Sequence, residues 1–406
     1  MNPRETALEL LEVLCALRSN KRVKRPDFLN KFLEFCVSNL AQYQQHAGAD
    51  WRIKEAVLAA VGQLKDLVRK FADLRASMEP MLQAHALPEL SSAQPFLRMR
   101  ALWLYGEFGD FKFSDASHVG QAVDLVYRNL QDADLPVRLA AATALHRLLH
   151  NELALGFMKP ALGSVLQIFL RLMGEIDSEE LVEALEELVA HFKDDVAPFA
   201  LQLAEHLVTS YQRLIGTSVE EDDGEGALAA VGCAETVKRV LEACKDKPTL
   251  LAQLEGVVYP LLAHALTAAG LDAVQDGFDS VALLVYHGQG VSDQLWKLYP
   301  QLLFAVCGED GGGFAQEFLA QASVCIQNFI AKDPAQFLGP LPGGTEPIAA
   351  LTCKFLERCL QINGNSQAKQ DGLVVMKLFI AMLENLQGRI DDYLPFIMQA
   401  CMRELQ

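Results

Sequence analysis

Seven amphipathic segments start at nearly even intervals along most of the chain. Their first residues are Trp51, Phe96, Pro136, Ser178, Ala227, Leu271 and Phe314, at intervals of 40 to 49 residues. Residues 96–149 show the pattern most plainly. The second segment of that unit carries Val137, Ala140, Ala141, Ala144, Leu145 and Leu148. This is the i, i+3, i+4, i+7, i+8, i+11 set, which makes one apolar stripe on an α-helix. Asp132 or Asp134 stands where an N-cap is needed, and Pro136 falls in the first turn, where proline is tolerated. The first segment repeats the arrangement with Leu97, Ala101, Leu104, Tyr105 and Phe108. It places Arg98 and Arg100 near its start, where the second has Arg138. Helical pairs of this kind pack only on their neighbours, so the chain grows as one stack of pairs.

A repeat of about 40 to 47 residues is that of HEAT or armadillo arrays. The expected class is all-α: an α-α superhelix, a single HEAT-repeat solenoid over residues 1–406 with about nine helical pairs. Leu and Ala dominate, and the β-branched residues lie inside helical stripes instead of alternating as in strands. The first helix carries Leu10, Leu11, Val13 and Leu14, and the last carries Leu394, Phe396, Ile397, Met398 and Cys401. Terminal repeats of a free-standing solenoid present polar outer faces, so the chain reads as a fragment of a longer solenoid. Two stretches interrupt the helical beat. One is an acidic inter-helix loop at 217–226, and the other a Pro/Gly-rich linker at 339–346.

The formal net charge is −17, which disfavours nucleic acid and anionic membrane and favours a basic protein partner. The nine cysteines are odd in number and form no Cys-x-x-Cys pair. Most lie on apolar stripes, so they read as reduced core residues of a cytosolic or nuclear protein. The most apolar segment, residues 250–271, is broken by Gln253, Glu255, Pro260 and His264, and reads as a buried helix instead of a membrane span. Residues 1–5 lead into an ordinary amphipathic helix, with no signal-peptide pattern.

Little in the sequence points to catalysis. His146 and His150 are spaced i and i+4, as zinc ligands can be. No His-Glu-x-x-His and no third ligand at a useful spacing accompanies them, so they read as surface histidines near a helix C-terminus. The glycines at 311–313 and 339–344 precede no Gly-Lys-Ser/Thr and read as linkers. There is no Gly-x-Ser-x-Gly elbow and no carboxylate pair on a predicted cleft. No catalytic residue, cofactor or metal is therefore expected, and the chain is not read as an enzyme. The basic run at 21–25 reads as a solvated turn between helices instead of a presented nuclear localisation signal. Glu220, Glu221, Asp222, Asp223 and Glu225 put five carboxylates in six residues. Such a run repels itself. It is either a plain connector or an acidic arm that engages a basic surface or helps to release one. Residues 179–187, Asp194 and Asp195 add negative charge upstream.

Residues 87–103, Leu-Pro-Glu-Leu-Ser-Ser-Ala-Gln-Pro-Phe-Leu-Arg-Met-Arg-Ala-Leu-Trp, resemble a segment of importin-β-type transport receptors. There a Pro-x-x-Ser-Ser turn precedes a helix with Arg-x-Arg-Ala-x-Trp, the positions of Arg98, Arg100 and Trp103. The pattern Asp-x-x-x-Pro-Val-Arg-x-x-Ala-Ala-x-Ala-Leu from Asp132 follows at the expected distance. Downstream order resembles the importin seven and importin eight branch. An acidic insertion precedes a helix like 227–244, then come Gln253-Leu-Glu-Gly256 and a Trp-x-Leu-x-Pro segment from Trp296 to Pro300. The stretch at 339–344 departs from the branch.

The resemblance implies a cytoplasm–nucleus shuttle that carries basic cargo such as histones and ribosomal proteins inward. Such a receptor passes the nuclear pore by weak contacts to Phe-Gly nucleoporins and releases cargo to Ran-GTP. It implies no direct nucleic-acid contact and no membrane insertion. The acidic loop Glu220, Glu221, Asp222, Asp223 and Glu225 is the candidate for contacting cargo or Ran. Arg98, Arg100, Trp103, Asp132, Asp134 and Arg138 read as structural. In HEAT repeats an Asp near the inter-helix turn and an Arg early in the second helix commonly bond between neighbouring units. A static HEAT scaffold or adaptor subunit, and an exportin-type receptor of the same fold, are the alternatives.

Overall fold

A computed structural model describes residues 3–18, 25–45, 50–176, 178–217, 225–308, 313–361 and 366–404. Among these the only bridge of β type is the isolated pair Pro340–Pro347, and the rest of the regular structure is helical. The chain divides into two compact units. The first is Met1–Ile176 with Glu183–His191, and the second is Asp177–Val182 with Phe192–Gln406.

In the first unit the helices Pro3–Ala16, Trp51–Gln63, Pro95–Glu107 and Leu135–Leu148 pack each on the next. They form one layer. Ala116–Asn129 packs on Leu135–Leu148 and on Glu152–Met158 in the other layer. Of the stripe read from the sequence, Val137, Ala141, Ala144, Leu145 and Leu148 are inaccessible or nearly so, Ala140 is only half-buried, and Ala142, outside the stripe, is buried too. Small residues let the axes approach. Gly62 is one such point, because a Cβ there would collide with the Trp103 ring.

The second unit has the same two-layer logic. Ala200–Thr217, Pro248–Ala265, Asp293–Cys307 and Ile348–Gln361 form one succession. Glu225–Ala243, Val274–His287, Leu319–Lys332 and Ser366–Asn385 form the other. Between the layers lies an aromatic cluster. The ring centroids of Trp296 and Phe329 are 4.8 Å apart and those of Tyr299 and Phe329 are 5.0 Å apart. The Tyr299 hydroxyl lies 2.9 Å from Thr352 Oγ1, which satisfies its polar end.

Several helices break where the sequence pattern reads as continuous. Residues 51–71 form Trp51–Gln63 and Lys65–Lys70, with buried Leu64 between them. The helix Ala72–Met81 widens into a π turn, Leu82–Ala86, ahead of Pro88, which has no N–H to continue the ladder. Residues 250–271 bend instead of running straight. The helix Pro248–Ala265 ends and its successor leaves at 116°, because Gly270 packs its backbone against the His264 carbonyl. Among the described residues, Glu152–Glu175 are also long and apolar enough to cross a membrane, by length and composition alone. A 3-10 turn at Lys159–Ala161 interrupts them, and Val165, Leu166, Phe169, Leu172 and Met173 are buried inside the unit.

Two sequence readings meet a different geometry. The Pro/Gly-rich stretch at 339–346 closes on itself instead of trailing as a linker. Ile348 N–H donates to Gly339 O at 2.9 Å, Gly344 N–H to Leu341 O at 2.8 Å, and Gly343 takes φ +83°. The reading of the cysteines as reduced does not hold at Cys307 and Cys359, which are disulfide-bonded, with Cα atoms 5.8 Å apart. They meet because Asp293–Cys307 and Ile348–Gln361 lie side by side. Of the rest, Cys15, Cys36, Cys233, Cys244, Cys325 and Cys353 are buried and not disulfide-bonded.

Phe329 is wholly buried and touches both aromatic partners. Phe329→Ala is therefore expected to destabilise the second unit by about 3–5 kcal/mol. The measurement is urea unfolding followed by circular dichroism, with a lowered midpoint as the expected outcome.

Candidate protein-interaction site

The charged residues at the repeat edges are joined from one repeat to the next. Arg98 donates from Nη1 to Ser92 O in its own turn, at 2.8 Å. It also reaches Asp132, Nε to Oδ2, at 2.8 Å and Asp134 at 3.2 Å in the following repeat. Arg138 repeats the arrangement. It donates to Asp132 O at 3.3 Å and pairs with Glu175 one repeat on. Asp134 occupies the N-cap position of Leu135–Leu148, but its carboxylate does not cap the helix. It faces Arg98 instead, because the guanidinium of the preceding repeat is within reach. Arg100 pairs with Glu55 at 2.8 Å and lies 4.6 Å from the Trp103 ring.

The sequence reading missed the buried part of this network. Lys54 is almost inaccessible, is 2.6 Å from Glu89 and lies over the Tyr43 ring at 4.8 Å. Buried Glu107 takes both Lys65 and Arg147. In another pair, the Tyr105 hydroxyl lies 2.8 Å from Nε2 of buried His118. Glu79 accepts from Ser114 N–H at 2.8 Å, Ser114 Oγ at 2.6 Å and Asp115 N–H at 2.8 Å. One signal was available: Lys54 and Glu55 are charged residues beside the Val57–Val61 stretch of an otherwise apolar helix face.

Of the acidic loop, Glu220, Glu221, Asp222 and Asp223 lie outside the described residues. Glu225 is placed as the first residue of the helix Glu225–Ala243. Lys21 to Lys24 of the basic run are also outside them, while Arg25 pairs with Asp73 at 2.5 Å. The helices on either side of the acidic run, Ala200–Thr217 and Glu225–Ala243, pack together. Their loop-side ends open on a cavity of about 520 Å³ lined by Gln212, Gly216, Ala227, Val231, His264 and Asp272, among others. Tyr211 Oη and His264 Nδ1 are 2.8 Å apart at its wall. Burial, then Cys233 and Asp272, pushes the Tyr211 hydroxyl up to about 12, so it keeps its proton. Cavity-lining Gly216 stands four residues before the acidic run in sequence, and Ala227 two residues after it. His146 and His150 lie at the end of Leu135–Leu148 and in the turn after it.

Two layers of helices in succession, joined at their edges by ion pairs one repeat apart, define a HEAT-repeat solenoid. Solved structures of that class match it. Similar are Kap95p, in a structure describing how Kap95p binding induces the switch loops of RanGDP to adopt the GTP-bound conformation (TM-score 0.66, 16% identity, 99% of this chain, 48% of that one), and importin beta crystallised in ammonium sulfate (0.61, 13%, 98% and 45%). These likenesses show the fold. No family model matches the chain. Among curated proteins it is 29% identical over 341 residues to the importin beta-like SAD2 homolog of Arabidopsis thaliana, covering 83% of this chain and 32% of that protein. It is 27% identical over 383 residues to the probable importin-7 homolog of Dictyostelium discoideum, covering 93% and 35%. It is 24% identical over 385 residues to importin-8 of Mus musculus, covering 94% and 36%. The chain is thus similar to importin-β-type, or karyopherin, proteins over 83% to 94% of its length. It spans about a third of the length of the curated relatives it matches.

Two measurements follow from the buried charges. Glu89→Gln leaves the Lys54 ammonium inaccessible and without its carboxylate, which costs about 3–5 kcal/mol. Lys54→Met with Glu89→Leu is expected to recover most of that loss in the same urea titration. For Glu79, burial pushes the carboxyl up, but the Ser114 hydroxyl, the Ser114 and Asp115 N–H groups and His118 outweigh it and hold it below its ordinary 4.5. A carboxyl lowered on folding stabilises above its unfolded value, and that contribution is lost as pH falls through the folded one. The thermal midpoint of the protein is expected to fall on acidification below 4.5, and Glu79→Gln to flatten that part of the profile.

Proposed function

We propose that the chain forms part of a nuclear import receptor that binds basic cargo proteins, passes the nuclear pore through Phe-Gly nucleoporins and releases cargo to Ran-GTP. The observation that carries this reading is the likeness to importins over up to 94% of the chain, joined to a net charge of −17. Kap95p is described with Ran and, in a separate structure of TM-score 0.58, with Nup1. The mechanism is binding, without covalent chemistry. A strongly acidic surface draws basic cargo, histones and ribosomal proteins among them, by long-range attraction. The charge speeds association and makes it salt-sensitive. The acidic run Glu220, Glu221, Asp222, Asp223 and Glu225 supplies the densest charge. Cytoplasm and nucleus are the compartments in which such a receptor works.

Neutralising Glu220, Glu221, Asp222 and Asp223 together, as Gln and Asn, is expected to slow association with a basic cargo roughly tenfold at low salt, with little difference at high salt. Surface plasmon resonance across a salt series measures it, and an unchanged rate at low salt removes the acidic run from the mechanism. In the full-length protein, GTP-locked Ran is expected to release bound cargo in a pulldown. Cargo loading by Ran-GTP would make the protein an exportin, and insensitivity to Ran a static scaffold.

A further inference from the structure

Several carboxylates packed into the fold face a cation. Glu55 takes Arg4 and Arg100, Glu89 takes Lys54, Glu107 takes Lys65 and Arg147, and Asp276 takes Lys238. Glu255 departs from that pattern. It stands on the helix Pro248–Ala265 and accepts a hydrogen bond from the Ser292 hydroxyl. Among the described residues no Lys, Arg or His forms an ion pair with it. Ser292 is itself held in place, because its oxygen caps the next helix by accepting from Leu295 N–H at 3.1 Å. One carboxylate oxygen of Glu255 is thus occupied and the other is left for a donor from outside.

The carboxylate lines a pocket of about 260 Å³ in the second unit. Leu251, Ala252, Leu284 and Val291 supply apolar walls, and residues 288–292 close the turn beside them. Among the described residues that line the pocket, Glu255 is the charged one. Gly290 has open space where a Cβ would stand, which leaves room for a second main chain to approach.

We propose that this pocket is a socket for a lysine side chain of a basic protein partner. The four-carbon stem lies along the apolar walls and the ammonium reaches the free oxygen of Glu255. Lysine suits it better than arginine, whose guanidinium fork engages two carboxylate oxygens at once, while an ammonium is a point charge. The inference rests on the reading of the chain as a receptor for basic cargo, and gives that reading a described contact where the acidic run gives only charge. Burial also pushes the Glu255 carboxyl above its ordinary 4.5, against the Ser292 hydroxyl. An incoming ammonium offsets that desolvation cost, which the free chain carries uncompensated.

The test is fluorescence anisotropy of labelled deca-lysine against the chain, at low and at high salt, with the thermal midpoint measured for each variant. Glu255→Gln is expected to weaken binding about tenfold. The loss should persist at high salt, because a contact inside a pocket is screened less than exposed charges are. Ala252→Leu, at an exposed helical position, keeps every charge but fills the pocket, and is expected to weaken binding to a similar extent. Glu152→Gln, which removes one charge from an exposed position in the first unit, is expected to leave affinity within about twofold. Glu255→Gln still accepts from Ser292 and carries no desolvated charge, so its midpoint should be unchanged or raised. A lowered midpoint with unchanged affinity makes Glu255 a structural residue and overturns the proposal. Affinity that survives both Glu255→Gln and Ala252→Leu, but is lost on neutralising the acidic run, overturns the pocket and leaves the cargo reading standing. Failure of deca-lysine to bind the unaltered chain overturns both.

Discussion

The structure rests on one constraint: a helical pair with a single apolar stripe cannot bury that stripe by itself. Each stripe is covered by the corresponding helix of the next repeat, as Pro95–Glu107 is by Leu135–Leu148. Burial of apolar area supplies most of the free energy, and alanines and glycines in the stripe set how closely the axes approach. Gly62 beneath Trp103 shows the limit of that approach, since no side chain fits between them.

Apolar contact alone would let neighbouring helices slide. The ion pairs at the repeat edges favour one position. Arg98 with Asp132 and Arg138 with Glu175 join groups 34 and 37 residues apart, and each arginine also bonds a carbonyl six residues before it in the turn. Lys54 with Glu89 and Glu107 with its two cations act further inside. Buried pairs of this kind are weak evidence for stability, because desolvation offsets much of the attraction. Their clearer effect is on register, since a shifted repeat would strand a charge. Carboxylates left over from this pairing contribute to the negative field on which the proposed cargo binding depends.

The repeat beat and the buried stripe of residues 137–148 were legible because they depend on residues a few positions apart. The breaks at Leu64, Lys159–Ala161 and Gly270 were not, because each depends on how a neighbouring helix end packs. Asp134 stood at a capping position, yet the tertiary partner Arg98 took its carboxylate. The stretch at 339–346 had the composition of a linker, and it closed through backbone hydrogen bonds that composition does not encode. His146 and His150 read as an isolated pair, while His191, whose ring centroid lies 6.1 Å from that of His150, stood about one repeat away.

The sequence by itself determined the helical class, the repeat length and the sign of the charge. Helix periodicity and net charge are local or additive, so no packing is needed to read them. The tertiary structure decided which charges meet, that Cys307 meets Cys359, and that two histidine-bearing turns face each other. Those contacts join residues about one repeat apart. They depend on the rotation of each helix about its axis, which is fixed only when the stripes of adjacent repeats lock together.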